Sequence, residues 1–557
     1  MTPDERRTQI RVDAPARGAI TAASGTDLSP SFRSGRERAP ARATRPPIDV
    51  ETGLKRVFRD VDFRRRNRFS FEFAQFGIAA PQQLVLYVPM AKNNALESRI
   101  SSIITNAANE IVSAVRHVIG NRLALGVRIC GDELIEGGTT IDDAVEIARI
   151  VETTGHVDYI NTSIGVATAS LFMIEASMHI PPGYALFIPS AMRKAVDLPV
   201  VGVGRFKDPL QAERALAEGH CDLVGVVRGQ IADPDFAAKA RAAATEDIRL
   251  CLSCNQECVG RMGLNRWLGC IENPGTGRES LGIGRARPAG ARKSVMVVGA
   301  GPAGLQAAIA AARNGHRVTV YEQQPQAGGQ VRLAASVPNR AEFGDMIRNQ
   351  LIECRRLGVT INYGVGVWPG FVDEQRPDHV IVATGAEAAR PWWAPAEAAN
   401  VCDVRDVLTG AAEPSGSVVV IDELGFHHAT SVAELLADRG CSVEIVTNGM
   451  VVGQDLGVTL DMENWWIRAG AKGIVQTTDL VPMGMDGTTL NLLHHPTGQM
   501  QTRTPDWVVL AVPANPVEWL YHDLRSAGWS VERVGDCVAP RRAHAAVVDG
   551  ERAGSSL

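Results

Sequence analysis

The sequence predicts an α/β chain in three parts: a partial TIM-type βα barrel, a four-cysteine cluster segment, and two nested Rossmann-like dinucleotide-binding domains. Three observations predict it. Apolar, β-branched runs alternate with helical sequence between about 105 and 245; four cysteines crowd between Cys251 and Cys270; and an apolar run from Ser294 leads into Gly299, Gly301 and Gly304. Alternating strand and helix signals argue for parallel strands joined by crossover helices. A glycine-spaced turn between strand and helix argues for a phosphate-binding loop.

Bulk properties narrow the class. The chain has 557 residues, 45% of them hydrophobic, and a formal net charge of -5. That length allows several domains, and the charge supplies no basic field for nucleic acid or an anionic membrane surface. A small-molecule substrate is expected, with no nucleic-acid or membrane partner. Ten cysteines are few for this length, and their crowding argues for metal ligation in a reducing compartment over a disulfide framework. The first residues, Met-Thr-Pro-Asp-Glu-Arg-Arg, lead into no apolar stretch of the secretory type, so a cytoplasmic location is expected. The uncharged run from Ser294 to Ala312 is interrupted by glycines where a nucleotide loop needs them, which argues against a membrane span.

Along the chain, residues 1–50 are rich in Arg, Pro, Ser, Ala and Thr and are expected to be disordered. Residues 51–104 stay unassigned: Phe69 to Phe76 and Leu84 to Met90 are strand candidates, and Arg64 to Arg66 reads as a solvated run. From Thr105 the pattern becomes regular. A helix through Glu110, Ile111 and Val115 leads to a strand from Leu123 to Cys130, and a second helix begins at Thr140 with Asp142 and Asp143 in its first turn. Further strands are predicted at Val157 to Ser163, Pro199 to Arg205 and Asp222 to Arg228. Asp208-Pro209 and Asp233-Pro234 each place an N-cap Asp before an N1 Pro. Ile164 to Leu198 reads as a long insertion of the kind that builds a substrate mouth. Residues 105–245 thus read as half of an eight-stranded barrel, and 246–293 as the cluster segment with a Gly, Arg and Pro-rich linker. Residues 294–400 begin a Rossmann domain, 401–515 insert a second, and 516–557 complete the first.

Cys251, Cys254, Cys258 and Cys270 form C-x2-C-x3-C-x11-C. Four thiolates in so short a span suit either a 4Fe-4S cluster or zinc. Zinc ribbons usually use two paired Cys-x2-Cys knuckles; the second pair is missing here, and flavin-type motifs lie alongside, which favours iron-sulfur. The other six cysteines, Cys130 and Cys221 among them, read as small buried hydrophobes.

Val295 to Gly304 places Gly299, Gly301 and Gly304 between a strand and a helix, followed by Val318 to Tyr321 and then Glu322. Glycines permit the tight turn and close pyrophosphate approach, the helix N-terminus stabilises the phosphate charge, and Glu322 suits a ribose hydroxyl. Gly328-Gly329-Gln330, Ala383-Thr384-Gly385 and Gly535-Asp536 add three loops typical of two-dinucleotide flavoproteins, so FAD is expected at this first site. The second unit departs from the pattern. From Val418 to Ala429, Asp422, Leu424 and His427 stand where the three glycines belong. A carboxylate beside the phosphate path repels a pyrophosphate, so ordinary NAD(P)H binding is not expected there. His427 and His428 read as surface or locally hydrogen-bonded residues, and Trp392-Trp393 and Trp465-Trp466 as packing residues.

Assembled in this order, residues from about 105 onward resemble the old yellow enzyme-like iron-sulfur flavoproteins, the family of 2,4-dienoyl-CoA reductase, trimethylamine dehydrogenase and histamine dehydrogenase. The segments from Cys251 to Arg261 and from Gly328 to Gln330 are also similar to a mycofactocin-associated branch. The resemblance implies an FMN-binding (β/α)8 barrel, a 4Fe-4S cluster, and an FAD- or ADP-binding domain with an inserted NAD(P)H-type domain. It implies hydride exchange between substrate and FMN, coupled through the cluster to a dinucleotide site. By the same resemblance Arg128 faces the flavin; Arg205 and the Val227-Arg228 pair contact the FMN phosphate; Gln256 lies near the FAD; and Cys251, Cys254, Cys258 and Cys270 ligate the cluster. The family's first four strands, with their ring contacts and catalytic acid region, have no match in residues 1–104, so no catalytic residue is named, and FMN is expected to bind weakly or not at all. Three functions stay open: an NAD(P)H-linked oxidoreductase of an enoyl or imine-type substrate, an amine dehydrogenase serving a redox-protein acceptor, and a non-catalytic electron-transfer remnant lacking FMN.

Overall fold

The computed structural model describes residues 76–80, 83–87, 109–288 and 290–557. Expectations for residues 1–50, for Arg64 to Arg66 and for most of the Phe69 to Phe76 strand lie outside the described residues. The chain divides into two compact units, Met1–Ile174 with Pro181–Val226, and Glu175–Ile180 with Val227–Leu557.

In the first unit, six strands pair in chain order: β1 (Phe76–Ala80), β2 (Gln83–Tyr87), β3 (Ala124–Cys130), β4 (Tyr159–Ser163), β5 (Val200–Gly202) and β6 (Leu223–Val224). β1 and β2 are antiparallel, and β2 through β6 are parallel. Residues 51–104, unassigned from sequence, therefore contribute β2 to the parallel run. Among the described residues the sheet runs from β1 to β6 without closing into a barrel.

The parallel arrangement follows from the alternation of apolar strands with capped helices. Thr140 and Asp143 form a reciprocal capping box at the start of the helix Ile141–Thr153, an arrangement that typically stabilises a helix by about 1 kcal/mol. Asp208 accepts from the Leu210 amide ahead of Pro209 in the helix Pro209–Ala217. Leu125, Val127, Ile129, Ile160 and Val200 bury their side chains against Ala144, Ala148, Ile188 and Met192 of the covering helices.

Three expectations differ from the structure. The strand expected from Pro199 to Arg205 stops at Gly202, because Gly204 (φ 141) and Arg205 (φ 67) leave the extended region. The strand expected from Asp222 to Arg228 is only Leu223–Val224, and Arg228 opens a short helix, Arg228–Ala232. Asp233 is not an N-cap before Pro234. The next helix begins at Phe236, and the Asp233 carboxylate instead accepts from the Asp235 and Arg249 amides and from Lys239 Nζ at 2.7 Å. Within the Ile164 to Leu198 insertion lies the short helix Phe187–Arg193, whose Ile188 and Met192 are buried.

The second unit holds two parallel sheets. Ser294–Val298 (β7), Arg317–Glu322 (β8), Thr360–Tyr363 (β9) and His379–Val382 (β10) join the late strand Val531–Arg533 in the order Val531–Arg533, β10, β7, β8, β9. The other sheet orders Val401–Asp403, Trp507–Ala511, Ser417–Asp422, Ser442–Thr447 and Val475–Thr477, all parallel. An antiparallel meander over Leu480–Asp486, Thr489–His494 and Gln499–Arg503 was not foreseen from sequence.

Leu252 and Ile271, each next to a cluster cysteine, belong to the same core as Val295, Val297 and Ile309, so the cysteine segment is packed into the first of these sheets. The Trp pairs split: Trp393 and Trp465 are buried, whereas Trp392 and Trp466 are exposed. Among the described residues no helix is long and apolar enough to cross a membrane.

Candidate cofactor-binding sites

The cysteine loop is shaped by two residues in the left-handed region, Ser253 (φ 53) and Asn255 (φ 56), a conformation that Asn tolerates better than most residues. The turns aim backbone amides at the sulfurs. Ser253 N–H donates to Cys251 Sγ at 3.3 Å and Glu272 N–H to Cys270 Sγ at 3.4 Å. Further amides, from Gln256 and Val259, favour the thiolates of Cys254 and Cys258.

Burial, and the other thiols after it, push Cys254 and Cys270 well above the ordinary thiol range and Cys258 up to about 11. Four thiolates that repel one another in a buried loop need a bound cation to be stable. The amide donors at the sulfurs fit an iron-sulfur cluster.

The first glycine loop is built around the helix Pro302–Arg313. Gly299 has φ 105, and a Cβ there would lie 2.4 Å from the Ala383 carbonyl; a Cβ at Gly304 would lie 2.0 Å from the Gly299 carbonyl. Both glycines are needed by the protein itself. Gly301, the N-cap, has no protein atom within 4 Å of its Cβ position other than its chain neighbours, which is the open cradle that a pyrophosphate requires.

The expected partners gather here. Gly328 N–H donates to the Ala300 carbonyl, and the Cβ position of Gly329 (φ 50) is 3.6 Å from Gly301 Cα. Gln330 Nε2 donates to Asp536 at 3.3 Å, and a Cβ at Gly535 would meet Ala303 at 2.6 Å. Gly385 (φ 76) closes the Ala383 turn, and its carbonyl accepts from Val517. Burial holds the Asp536 carboxyl above its usual range. Glu322 accepts from the Ala300 amide at 2.7 Å and the Gln324 amide at 2.8 Å, which fixes the carboxylate beside the loop. The residues present fit FAD.

The second loop has the same strand-turn-helix course and a different filling. Asp422 is fully buried; its Oδ1 accepts from the amides of Leu424 (3.2 Å) and Gly425 (2.8 Å), and its Oδ2 from Gly453 (3.1 Å). Burial raises its pKa, with those three amides opposing. The donors that grip a pyrophosphate in an ordinary Rossmann loop are already taken by a carboxylate. The loop does not fit an NAD(P) pyrophosphate. His427 corrects the surface reading: it opens the helix His427–Asp438 with its side chain buried against Phe426, while His428 is exposed.

In the first unit Arg128, on β3, donates to Asn161 of β4 at 2.8 Å. Arg205 is buried in the loop after β5, joined by buried Lys207, a second cation that sequence reasoning passed over. In the second unit Arg228 donates to Asn255 Oδ1 at 2.6 Å, and Asn255 Nδ2 donates to the carbonyls of Glu175 and Thr459. Asn255 was also missed; its place in the three-residue spacer between Cys254 and Cys258 was the available signal. Val227 is exposed and Gln256 buried.

A strand-helix half-barrel pattern, a four-thiol loop and an FAD cradle define an iron-sulfur flavoprotein of the oxidoreductase class. The comparisons agree. Residues 107–246 match the NADH:flavin oxidoreductase / NADH oxidase family, and residues 293–455 match pyridine nucleotide-disulphide oxidoreductase. The chain is 34% identical over 487 residues to N,N-dimethylglycine/sarcosine dehydrogenase of Chromohalobacter salexigens, covering 80% of this chain and 70% of that protein. It is 33% identical to NADH oxidase of Thermoanaerobacter brockii, covering 77% and 65%. The structure of 6-hydroxypseudooxynicotine amine oxidase from Pseudomonas geniculata N1 matches with a TM-score of 0.78 at 26% identity, covering 85% of this chain and 75% of that one. The chain belongs to the old yellow enzyme-like flavoprotein family of the 2,4-dienoyl-CoA reductase type. Members are flavin oxidoreductases, NAD(P)H-dependent as a class, that move electrons between a small organic substrate and a dinucleotide; the family's domains imply FMN, FAD and NAD(P), with a 4Fe-4S cluster.

Proposed function

We propose that this chain oxidises a small N-methylated amine and passes the electrons through its cluster and FAD to a redox-protein acceptor in the reducing cytoplasm. The observation that carries the reading is Asp422, whose carboxylate occupies the three amides that a nicotinamide coenzyme needs. Relatives named for amines, the dimethylglycine/sarcosine dehydrogenase and a dimethylamine dehydrogenase of Hyphomicrobium sp., support the substrate class.

Bound flavins and cluster supply the redox chemistry, two-electron exchange with substrate and single-electron transfer onward. The chain's own residues hold and orient them. Cys251, Cys254, Cys258 and Cys270 hold the cluster, with amides of Ser253 and Glu272 stabilising the thiolates. Gly299, Gly301, Gly304, Glu322, Gly329, Gln330, Gly385, Gly535 and Asp536 form the FAD cradle, and the family resemblance assigns Gln256 of the cluster loop a place near the FAD.

Arg205 and Arg228, with Val227 exposed beside the latter, serve the FMN phosphate, and Arg128 the flavin ring. The family's early-strand ring contacts find no match in the sequence of residues 1–104, so FMN is expected to be held weakly. Extraction with FMN and FAD quantified separately should give FAD near one per chain and FMN well below it. With excess FMN supplied anaerobically, dimethylglycine should bleach the flavin. Failure to bleach with any N-methylated amine, together with bleaching by an enoyl substrate plus NADPH, overturns the amine reading. Cys254→Ser should lower iron per chain and strip the broad absorption near roughly 400 nm; zinc without iron or sulfide in anaerobically purified protein contradicts the cluster.

A further inference from the structure

Beside the closed second loop lies a second group of ligand atoms, on segments that hydrogen-bond the cysteine loop: Met178 N–H donates to the Ser253 carbonyl and Asn255 Nδ2 to the Thr459 carbonyl. His179, His427 and Asp461 each offer one atom, and the three atoms all lie within 4.8 Å of one another. His427 Nε2 is 3.4 Å from Asp461 Oδ2, His179 Nε2 is 3.9 Å from Asp461 Oδ1, and the two imidazoles stack at 5.8 Å between centroids. Ligand atoms about 2.0–2.1 Å from a tetrahedral zinc lie about 3.3 Å apart, so the group would contract by at most about 1.5 Å on binding the metal.

Two further observations point to a ligand. The His179 side chain is 3% exposed, and neither of its ring nitrogens has a hydrogen-bond partner. Leaving a buried polar group unmatched is costly, and a metal is one group that supplies the missing partner. The carboxylate, in contrast, is held: Ser177 Oγ donates to Asp461 Oδ1 and Thr459 Oγ1 to Oδ2 at 2.9 Å. Such outer hydrogen bonds orient a metal-binding carboxylate while leaving each oxygen a free lone pair.

We propose that His179, His427 and Asp461 bind a divalent first-row metal, zinc by preference, with an open fourth position. Two imidazoles and one carboxylate are a borderline-soft donor set that suits zinc over magnesium or calcium. Burial keeps both imidazoles neutral and so available as ligands.

The surrounding cations set the fourth ligand. Arg468 is paired with Glu434 and Arg542 with Asp455. Arg340, 3% exposed, has a charge that acts on both His427 and Asp461. Arg340, whose charge Asp461 partly offsets, adds positive potential around the group and so favours an anionic fourth ligand, hydroxide or chloride. The proposal rests on these three side chains and does not depend on the substrate assignment.

The test uses the full chain with its cluster and FAD in place, so that the cysteines are occupied. After equilibration with zinc chloride and removal of free metal, elemental analysis should show one zinc per chain beyond the cluster iron. Zinc-edge X-ray absorption should show a shell of nitrogen and oxygen only, with two imidazole signatures. His179→Gln and His427→Gln should each weaken zinc binding by at least about 100-fold, and Ser177→Ala, which removes only an orienting bond, by about 10-fold. FAD content should stay unchanged in all three. No retained zinc, or a sulfur shell showing the metal on cysteines, overturns the proposal; the absorption measurement on the unaltered chain decides it even where a variant fails to fold.

Discussion

The two Rossmann loops of this chain follow the same course and have opposite uses for their amides. In the first, Gly301 presents an empty cradle at a helix N-terminus, and the nearby carboxylate, Glu322, is held to one side by the Ala300 and Gln324 amides. In the second, the carboxylate has moved into the loop: Asp422 takes the amides of Leu424, Gly425 and Gly453 for itself. An oriented set of N–H groups binds an anion in both cases. Whether that anion is a coenzyme or a side chain decides whether the fold is a site or a scaffold.

The comparison can be broken most sharply at Gly301. Because no protein atom occupies the Cβ position, Gly301→Val should fold normally and yet lose FAD, by about 3 kcal/mol or more, roughly 100-fold. Flavin content after gel filtration checks this; full retention refutes the cradle. Gly304→Val serves as the contrast, since its Cβ meets the Gly299 carbonyl at 2.0 Å and the variant should lose stability along with FAD.

A smaller effect is expected at the second loop. Asp422→Gly removes the internal anion and leaves three amides for a ligand, at a cost to the inserted domain of roughly 1–3 kcal/mol for each amide left unmatched. NADPH affinity should rise about 10-fold in isothermal titration, and an unchanged or weaker affinity would show that the carboxylate is not what closes the loop.

The smallest effect is on pH. Burial raises the Asp422 pKa in the folded state, so between the unfolded value near about 3.9 and the raised folded value the native protein holds a proton that the unfolded chain has released. Stability from this group is therefore gained as pH falls through the folded pKa and lost as pH rises through it. Asn does not titrate, so the stability of the unaltered chain relative to Asp422→Asn should increase on acidification. Denaturant melts at several pH values read the gap, and a gap that moves the other way contradicts the assignment.

Much of this was legible from the sequence, and the parts that were not share a cause. Gly299, Gly301 and Gly304 announce themselves because each meets a local steric demand, and the cysteine spacing because four ligands must converge over few residues. Asp422 was legible as a departure from the glycine pattern, although not as an acceptor of three amides. His179 and Asp461 carried no signal: they lie 282 positions apart in number, His179 within an insertion and Asp461 at the edge of a helix, and only the tertiary fold brings them to His427. Strand ends failed at Gly204 and Arg205 because positive φ values there, not hydrophobicity, end the strand. β2 was half legible because its apolar run stood without a helical neighbour to define its phase.

The central claim is that the first loop holds a dinucleotide and the second does not. The direct test is an anaerobic titration of the FAD-loaded chain with NADH and NADPH, following the flavin absorbance. Neither coenzyme should bleach the flavin stoichiometrically at one equivalent. Complete bleaching at one equivalent, with tight binding of the oxidised coenzyme, would contradict it.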